Sequence, residues 1–336
     1  MNKTFIALFF LLLPLFGHTA ELIADKSVLT ERDCFGRNFA SYDTWRTFIS
    51  NKLAKKIKNV DMRAKRLAAF DRKFTAADFN RFKTGLSCRN FQYVVDGNKV
   101  KGFIIQPKNI TEKLPVVIYN RGGNGDYSAV KFASMMRNLF PIAWEGFVII
   151  GSQYRGTFYK DKTHDDEFGG QDVNDVTALF KLIPSIAGAD DKRIGMLGAS
   201  RGGMQTYLAL KQTDKVKAVA VIAGKSDAIV GLKQRPIMER VYKKRIPNYA
   251  QNKQAELEKR SVLYWLDKIP QDVPILLLHG MSDERVSVEQ SITLAEALEK
   301  ADIPHKLVLY PGDNHGLVQN KAKATQEIVA WFNAYL

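Results

Sequence analysis

Six short apolar runs recur along the later part of the chain. They are LPVVIYN near residue 114, GFVIIGSQY near 146, RIGMLGA near 193, VKAVAVIAG near 216, VPILLLHG near 273 and HKLVLYPG near 305. Each is rich in Val, Ile and Leu at successive positions and is bounded by Gly, Pro or polar residues, the signature of a strand buried on both faces. Segments of helical character separate most of them. Strand, helix, strand in repetition predicts a mostly parallel sheet with helices on both faces, an α/β domain over residues 91–336. Its entry is a hairpin, because NFQYVVDGNKVKGFIIQP alternates and turns at Asp96-Gly97-Asn98. Residues 225–262 break the alternation with polar, basic, Pro-containing sequence and read as a cap inserted between two strands.

The chain before residue 91 follows another rhythm. Tyr42, Trp45, Phe48, Ile49, Leu53, Ile57 and Val60 recur at helical spacing, and TAAD at Thr75–Asp78 resembles a capping box that opens a further helix ending near Gly85. A helical N-terminal extension over 21–90 is expected. Cys34 and Cys88, the two cysteines of the chain, bracket these helices. Residues 1–20 read as a signal peptide: Lys3 supplies the positive start, Phe5 to Phe16 the apolar stretch, and Ala20 the small residue at the cut. The expected protein is therefore exported, periplasmic or secreted. No Cys directly follows the cut, which argues against a lipid anchor, and no later apolar run is long enough to span a bilayer. In an oxidising compartment the two cysteines are expected to bridge, with two separate buried thiols as the alternative. Neither has a further Cys or a His at ligand spacing, so they make no zinc site, and no cofactor is expected.

The net charge of +15 on 336 residues is uneven. Between Arg46 and Lys108 stand sixteen Lys and Arg against Asp61, Asp71, Asp78 and Asp96. A solvated face explains this excess, and electrostatic contact with an anionic envelope surface is the functional alternative. Nucleic-acid binding is excluded as an expectation, since no recognisable module and no stacking aromatics lie among those charges.

GMLGASRGGMQT, residues 195–206, joins one buried strand to a helix. A Ser at such a junction, with Gly198 before it and Gly202 and Gly203 after, matches a nucleophile elbow, in which a sharp turn lifts the hydroxyl above the strand ends. A Gly-rich structural turn is the bland alternative. A serine hydroxyl needs a base. Of His164, His279, His305 and His315, only His315, in YPGDNHGL after the last strand, sits where a hydrolase of this chain order holds one. His279 reads as a structural hydrogen-bonder, His305 as a strand residue, and His164 lies in a polar loop. Asp283, beyond the ILLLHG strand, is the expected orienting acid, with Glu284 and Asp313 as competitors. The oxyanion donors expected are the N–H of Arg201 and those of Gly123 and Gly122 in RGGNG. The same loop lacks the Gly-Lys-Ser/Thr ending of a phosphate cradle.

From about Leu114 onward the chain resembles the catalytic domain of the prolyl oligopeptidase family, carried by NRGG, SQYRGT, FGGQDVNDV, RIGMLGASRGG, VPILLLHGMSDERVSVEQS and YPGDNHGL. The resemblance implies an α/β-hydrolase fold and a metal-free serine mechanism through an acyl-enzyme, acting on a short peptide or a small ester. Family members usually carry a β-propeller before this domain, and the helical extension takes its place here. Arg121 stands where the family often has His, and Arg201 where it often has Tyr. The cap carries Lys225, Lys233, Arg235, Arg240, Lys243, Lys244 and Arg245, so substrates bearing a carboxylate are expected, with Arg121, Arg235 and Arg240 as candidate binding residues. A cation at the start of a helix opposes the helix dipole, so Arg201 needs an acidic partner, in the protein or in the substrate. A carboxylesterase without peptidase activity and a non-catalytic envelope-docking protein are the alternative readings.

Overall fold

A computed structural model describes residues 21–158 and 165–336. The expected signal peptide and His164 lie outside the described residues. All six apolar runs are strands, joined by the hairpin and one further strand into a nine-stranded sheet. The strands are β1 (Val28–Asp33), β2 (Leu86–Val95), β3 (Asn98–Pro107), β4 (Leu114–Asn120), β5 (Val148–Ser152), β6 (Ala189–Ala199), β7 (Val216–Ile222), β8 (Ile275–Gly280) and β9 (His305–Tyr310). The order across the sheet is β1-β2-β3-β5-β4-β6-β7-β8-β9. Strands β1, β2, β3 and β5 pair antiparallel, and every pairing from β5 through β4 to β9 is parallel. The β2–β3 turn has positive φ at both Asp96 and Gly97, as a tight two-residue hairpin requires.

Continuous apolar strands are explained by what covers them. In β4, β5 and β7, Val116, Ile118, Val148, Ile150, Val219 and Val221 face one core, while Val117, Tyr119, Ile149, Ala218 and Ala220 face another. Successive side chains leave opposite faces of a strand, so a sheet sandwiched between two cores has no polar positions to spare. The first core is closed by α6 (Asp172–Thr177), α7 (Leu179–Leu182), α8 (Arg201–Leu210), α12 (Glu289–Lys300) and the cap helices α9 (Ala228–Gln234), α10 (Met238–Arg245) and α11 (Tyr249–Glu258). The second is closed by α1 (Tyr42–Lys56), α2 (Val60–Lys73), α3 (Ala76–Gly85), α4 (Phe132–Asn138), α5 (Phe140–Trp144) and α13 (Lys321–Tyr335).

The N-terminal helices are a layer of this second core. Trp45, nearly inaccessible, contacts the rings of Phe70, Phe74, Phe79 and Phe132 with centroids 4.8–5.9 Å apart. Thr75 caps α3 by accepting from the Asp78 N–H, as TAAD predicts. Cys34 and Cys88 form a disulfide across 54 residues. Closing a loop of that length removes about 4 kcal/mol of chain entropy from the unfolded state. Two details depart from the sequence reading. Residues 28–33, placed within a helical extension, form the edge strand β1, and the boundary drawn at residue 90 falls inside β2. One sheet therefore runs through both segments. No helix among the described residues is long and apolar enough to cross a membrane.

Candidate active site

The parallel strands bring three distant residues to one edge. Ser200 follows β6, Asp283 lies three residues beyond β8, and His315 lies five beyond β9; β6, β7, β8 and β9 are consecutive in the sheet. Parallel strands direct all their carboxyl ends to the same side, where open α/β sheets bind ligands.

Ser200 has φ 58° and ψ −122°, a backbone region that L-residues adopt only under constraint. Its N–H donates to the Ile222 carbonyl at 2.8 Å, which ties the turn to β7. The flanking glycines are there for space. A Cβ on Gly198 would sit 2.6 Å from the Gly202 carbonyl oxygen, and one on Gly202 would collide with the Asn120 carbonyl. The helix α8 thus starts close against the end of β4, and Ser200 is half-buried at the turn between β6 and α8.

The histidine and the acid are coupled directly. His315 Nδ1 donates to Asp283 Oδ2 at 2.6 Å, which directs the other ring nitrogen away from the acid. Asp283 Oδ1 accepts from the N–H groups of Arg285 and Val286 at 2.8 and 3.1 Å. Burial acts to raise the Asp283 pKa, but the hydrogen bonds from His279 and His315 outweigh it and hold the carboxyl well below the usual range. Among the described residues, no hydrogen bond joins Ser200 Oγ to His315. Contacts between a nucleophile and its base are often loose before substrate binds.

His279 has a closer role than the sequence suggests. It is fully buried, and its Nε2 lies 3.1 Å from Asp283 Oδ2 and 3.0 Å from the Val286 carbonyl. A carbonyl only accepts, so Nε2 carries the proton; Nδ1 faces the Ser291 hydroxyl at 2.7 Å. Asp283 is therefore gripped by two histidines on one oxygen and two amides on the other. The competitors lie elsewhere. Asp313 is buried and accepts from the amides of Asn314, Gln319 and Asn320, shaping the loop that carries His315. Glu284 is exposed, and His305 Nδ1 donates to the Ile303 carbonyl.

Beside Ser200, the N–H groups of Gly122, Gly123 and Arg201 have no acceptor among the described residues. A Cβ on Gly122 would lie 3.0 Å from the Ser200 Cβ, so this glycine loop lines the space next to the hydroxyl. Unpaired amides beside a serine can bind a developing oxyanion.

The acidic partner that Arg201 needs lies within the protein. Its guanidinium, 2 % exposed, holds Asp166 through two bonds of 2.6 and 2.7 Å, Asp172 at 2.5 Å and the Gly123 carbonyl at 2.9 Å. Burial acts to lower its pKa and raise that of Asp166, but the mutual charges prevail: Arg201 is raised, and Asp166 is lowered to about 2. Asp172, in the first turn of α6, also accepts from the N–H groups of Gly169 and Gly170 and from Gln205. Asp175 likewise pairs with buried Arg155 at 2.8 Å. No local pattern announces these pairs, since Asp166 stands 35 residues from Arg201.

Two candidate substrate-binding residues are corrected. Arg121 is 1 % exposed and spends its donors on the carbonyls of Gln153, Gly122, Gly125 and Tyr127 and on the Thr157 hydroxyl. Burial lowers its pKa to about 10. It braces the glycine loop from behind and has no donor left for a substrate. Arg240 is exposed on α10 and does not line the cavity beside Asp283, whereas Arg235 does.

The family model described as the prolyl oligopeptidase family matches residues 133–336. An uncharacterized peptidase of Bacillus subtilis, YtmA, is 27 % identical over 226 residues, covering 66 % of this chain and 84 % of that protein. Dipeptidyl-peptidase 5 of Porphyromonas gingivalis is 23 % identical over 75 % of this chain but only 38 % of its own length. The acylaminoacyl peptidase of Pyrococcus horikoshii superposes with a TM-score of 0.63 at 23 % identity, over 78 % of this chain and 44 % of that one. The chain thus spans less than half of these longer relatives, and the last of them supports the α/β-hydrolase fold. With the family model matching most of the sheet and the whole edge that carries Ser200, Asp283 and His315, the chain belongs to the prolyl oligopeptidase family of serine peptidases.

Proposed function

We propose that this chain is an exported serine peptidase that cleaves short peptides through an acyl-enzyme on Ser200. His315 Nε2 takes the Ser200 proton as Oγ attacks the scissile carbonyl. The resulting oxyanion is held by the N–H groups of Arg201 and Gly123, with Gly122 beside them. Collapse transfers the proton from His315 to the leaving amine, and water then releases the acyl group by the same route in reverse order. Asp283 keeps His315 in the required tautomer and offsets the positive charge it acquires.

The observation that carries this reading is the 2.6 Å Asp283–His315 bond at the sheet edge that also holds the strained Ser200. Relatives named as a dipeptidyl peptidase and as acylaminoacyl peptidases favour a peptide bond over a simple ester. The apolar run of residues 5–16 and the Cys34–Cys88 disulfide support export. Purified residues 21–336 are treated with a fluorophosphonate beside Ser200→Ala, and intact mass is read. One adduct on the wild type and none on the variant is expected. Labelled enzyme that hydrolyses activated esters but no peptide amide would instead identify a carboxylesterase; a folded, unlabelled wild type would return the chain to a docking role.

A further inference from the structure

Lys225 is the third residue after β7, between the strand ends that carry Ser200 and Asp283. Its backbone N–H points to the Ser200 carbonyl at 3.4 Å, so it borders the nucleophile's turn directly. The residue is 7 % exposed. Its ammonium donates to the Tyr242 hydroxyl at 2.7 Å and lies 5.3 Å from the centre of that ring. Among the described residues, no carboxylate lies within ion-pair distance of it. A cation removed from water is costly unless an anion or several acceptors compensate, and one neutral hydroxyl with a ring face leaves that demand largely unmet.

The side chain borders occupiable space, its ammonium near Gly231 on the wall of that space. Lys225 lines a cavity of about 300 Å³ with Arg235, Arg285, Gln290, Asp283 and Glu284. Three of these groups are cations. Asp283 is already committed on both oxygens, to two histidines and two amides, and Glu284 and Arg285 are an exposed, opposite pair of charges at adjacent positions. The cap supplies half-buried Arg235 at the end of α9 and the loop after β7 supplies buried Lys225, so two elements bring positive charge to one small volume. A cavity of this size lies at the small end of ligand pockets and has room for a side chain or a chain terminus.

We propose that this cavity is a carboxylate-recognition subsite, in which Lys225 and Arg235 bind an anionic group of the peptide cleaved at Ser200. The inference rests on the serine-peptidase reading and specifies its substrate class: peptides with an acidic side chain on the acyl side of the scissile bond, or with a free carboxyl terminus near it. A charge-assisted hydrogen bond in a partly dehydrated pocket discriminates strongly against the neutral amide of the same shape.

The test compares kcat/KM on N-acyl peptidyl coumarin amides ending in Glu or in Gln, and on peptides ending in a free carboxylate or a carboxamide. At least one acidic member is expected to be cleaved tenfold faster than its neutral partner, and the pair that shows it identifies the source of the carboxylate. Lys225→Met should bring that ratio close to one, and Lys225→Arg should largely keep it. Ratios near one in the wild type, or a preference that survives Lys225→Met, overturn the subsite. Two controls separate this outcome from failure of the peptidase reading. Wild type that labels with fluorophosphonate but shows no preference refutes only the subsite. Protein that does not label but binds N-acetylglutamate α-amide or N-acetylglutamine tenfold more tightly than N-acetylglutamine α-amide by calorimetry keeps the subsite and refutes the serine chemistry.

Discussion

Replacing Arg201 by Met tests whether buried Asp166 is ionised because of that one cation. The side chain is fully enclosed, as are Asp166 and Asp172. Deleting one partner of a buried ion pair costs about 3–5 kcal/mol, since the remaining charge stays out of water. Here two carboxylates remain, but Gly125, Phe168, Gly169, Gly170 and Gln205 continue to donate to them, which keeps the cost within that range. At the usual unfolding entropy per residue, a chain of this length loses roughly 4–7 °C in Tm. The sign of the pH dependence is the sharper check. In the wild type the Asp166 pKa is lowered to about 2, so its contribution is present above the unfolded carboxylate range and is lost only as pH falls toward 2. Between pH 5 and 8 this pair leaves wild-type stability flat. In the variant, burial without the cation raises Asp166 above its unfolded value, so the folded state binds more protons and stability falls as pH rises. The Tm difference, measured by calorimetry from pH 5 to 8, is therefore expected to widen with pH. A difference that stays constant across that window, or a variant within about 1 kcal/mol of wild type, would refute the argument.

Two further substitutions probe the site itself. His279→Leu removes one of the two histidines on Asp283 and is expected to lower kcat/KM on an activated ester about tenfold or more, the worth of one hydrogen bond to a charged group. A folded variant with an unchanged labelling rate at Ser200 would show that the remaining contacts alone hold the acid. Ser200→Gly abolishes labelling but relieves the positive φ, so it should melt about 1–4 °C above Ser200→Ala, following the 1–3 kcal/mol typical of such strain. Equal melting temperatures would mean that the turn carries no strain.

Local pattern reached far into this fold because it reports on local causes. Consecutive apolar residues in β4 to β8 follow from burial on both faces, and a two-residue hairpin needs residues that accept positive φ, as Asp96 and Gly97 do. Gly198 and Gly202 were legible for the same reason: a turn from strand to helix leaves no room for a methyl group at either place. Edge strand β1 was not legible. VLTERD is mostly exposed and lacks a two-residue apolar alternation, and its pairing is set by β2, with Val28 opposite Tyr93.

The amino-acid sequence by itself determined the strand and helix alternation, the strained serine turn, and the chain order Ser200, Asp283, His315 at the ends of β6, β8 and β9. The tertiary structure alone decided what each charged or polar side chain does there. Arg121 and Arg201, both cations beside the glycine loop and both open to a substrate role, are instead buried: one braces the loop through carbonyls, the other through Asp166 and Asp172. Lys225 is left with a hydroxyl, and His279 is turned onto the acid of His315. The physical reason is range. Periodicity and turn chemistry act within a few residues, whereas a buried charge is settled by whichever groups long-range closure brings within hydrogen-bond reach, and those stand tens of residues away in the chain.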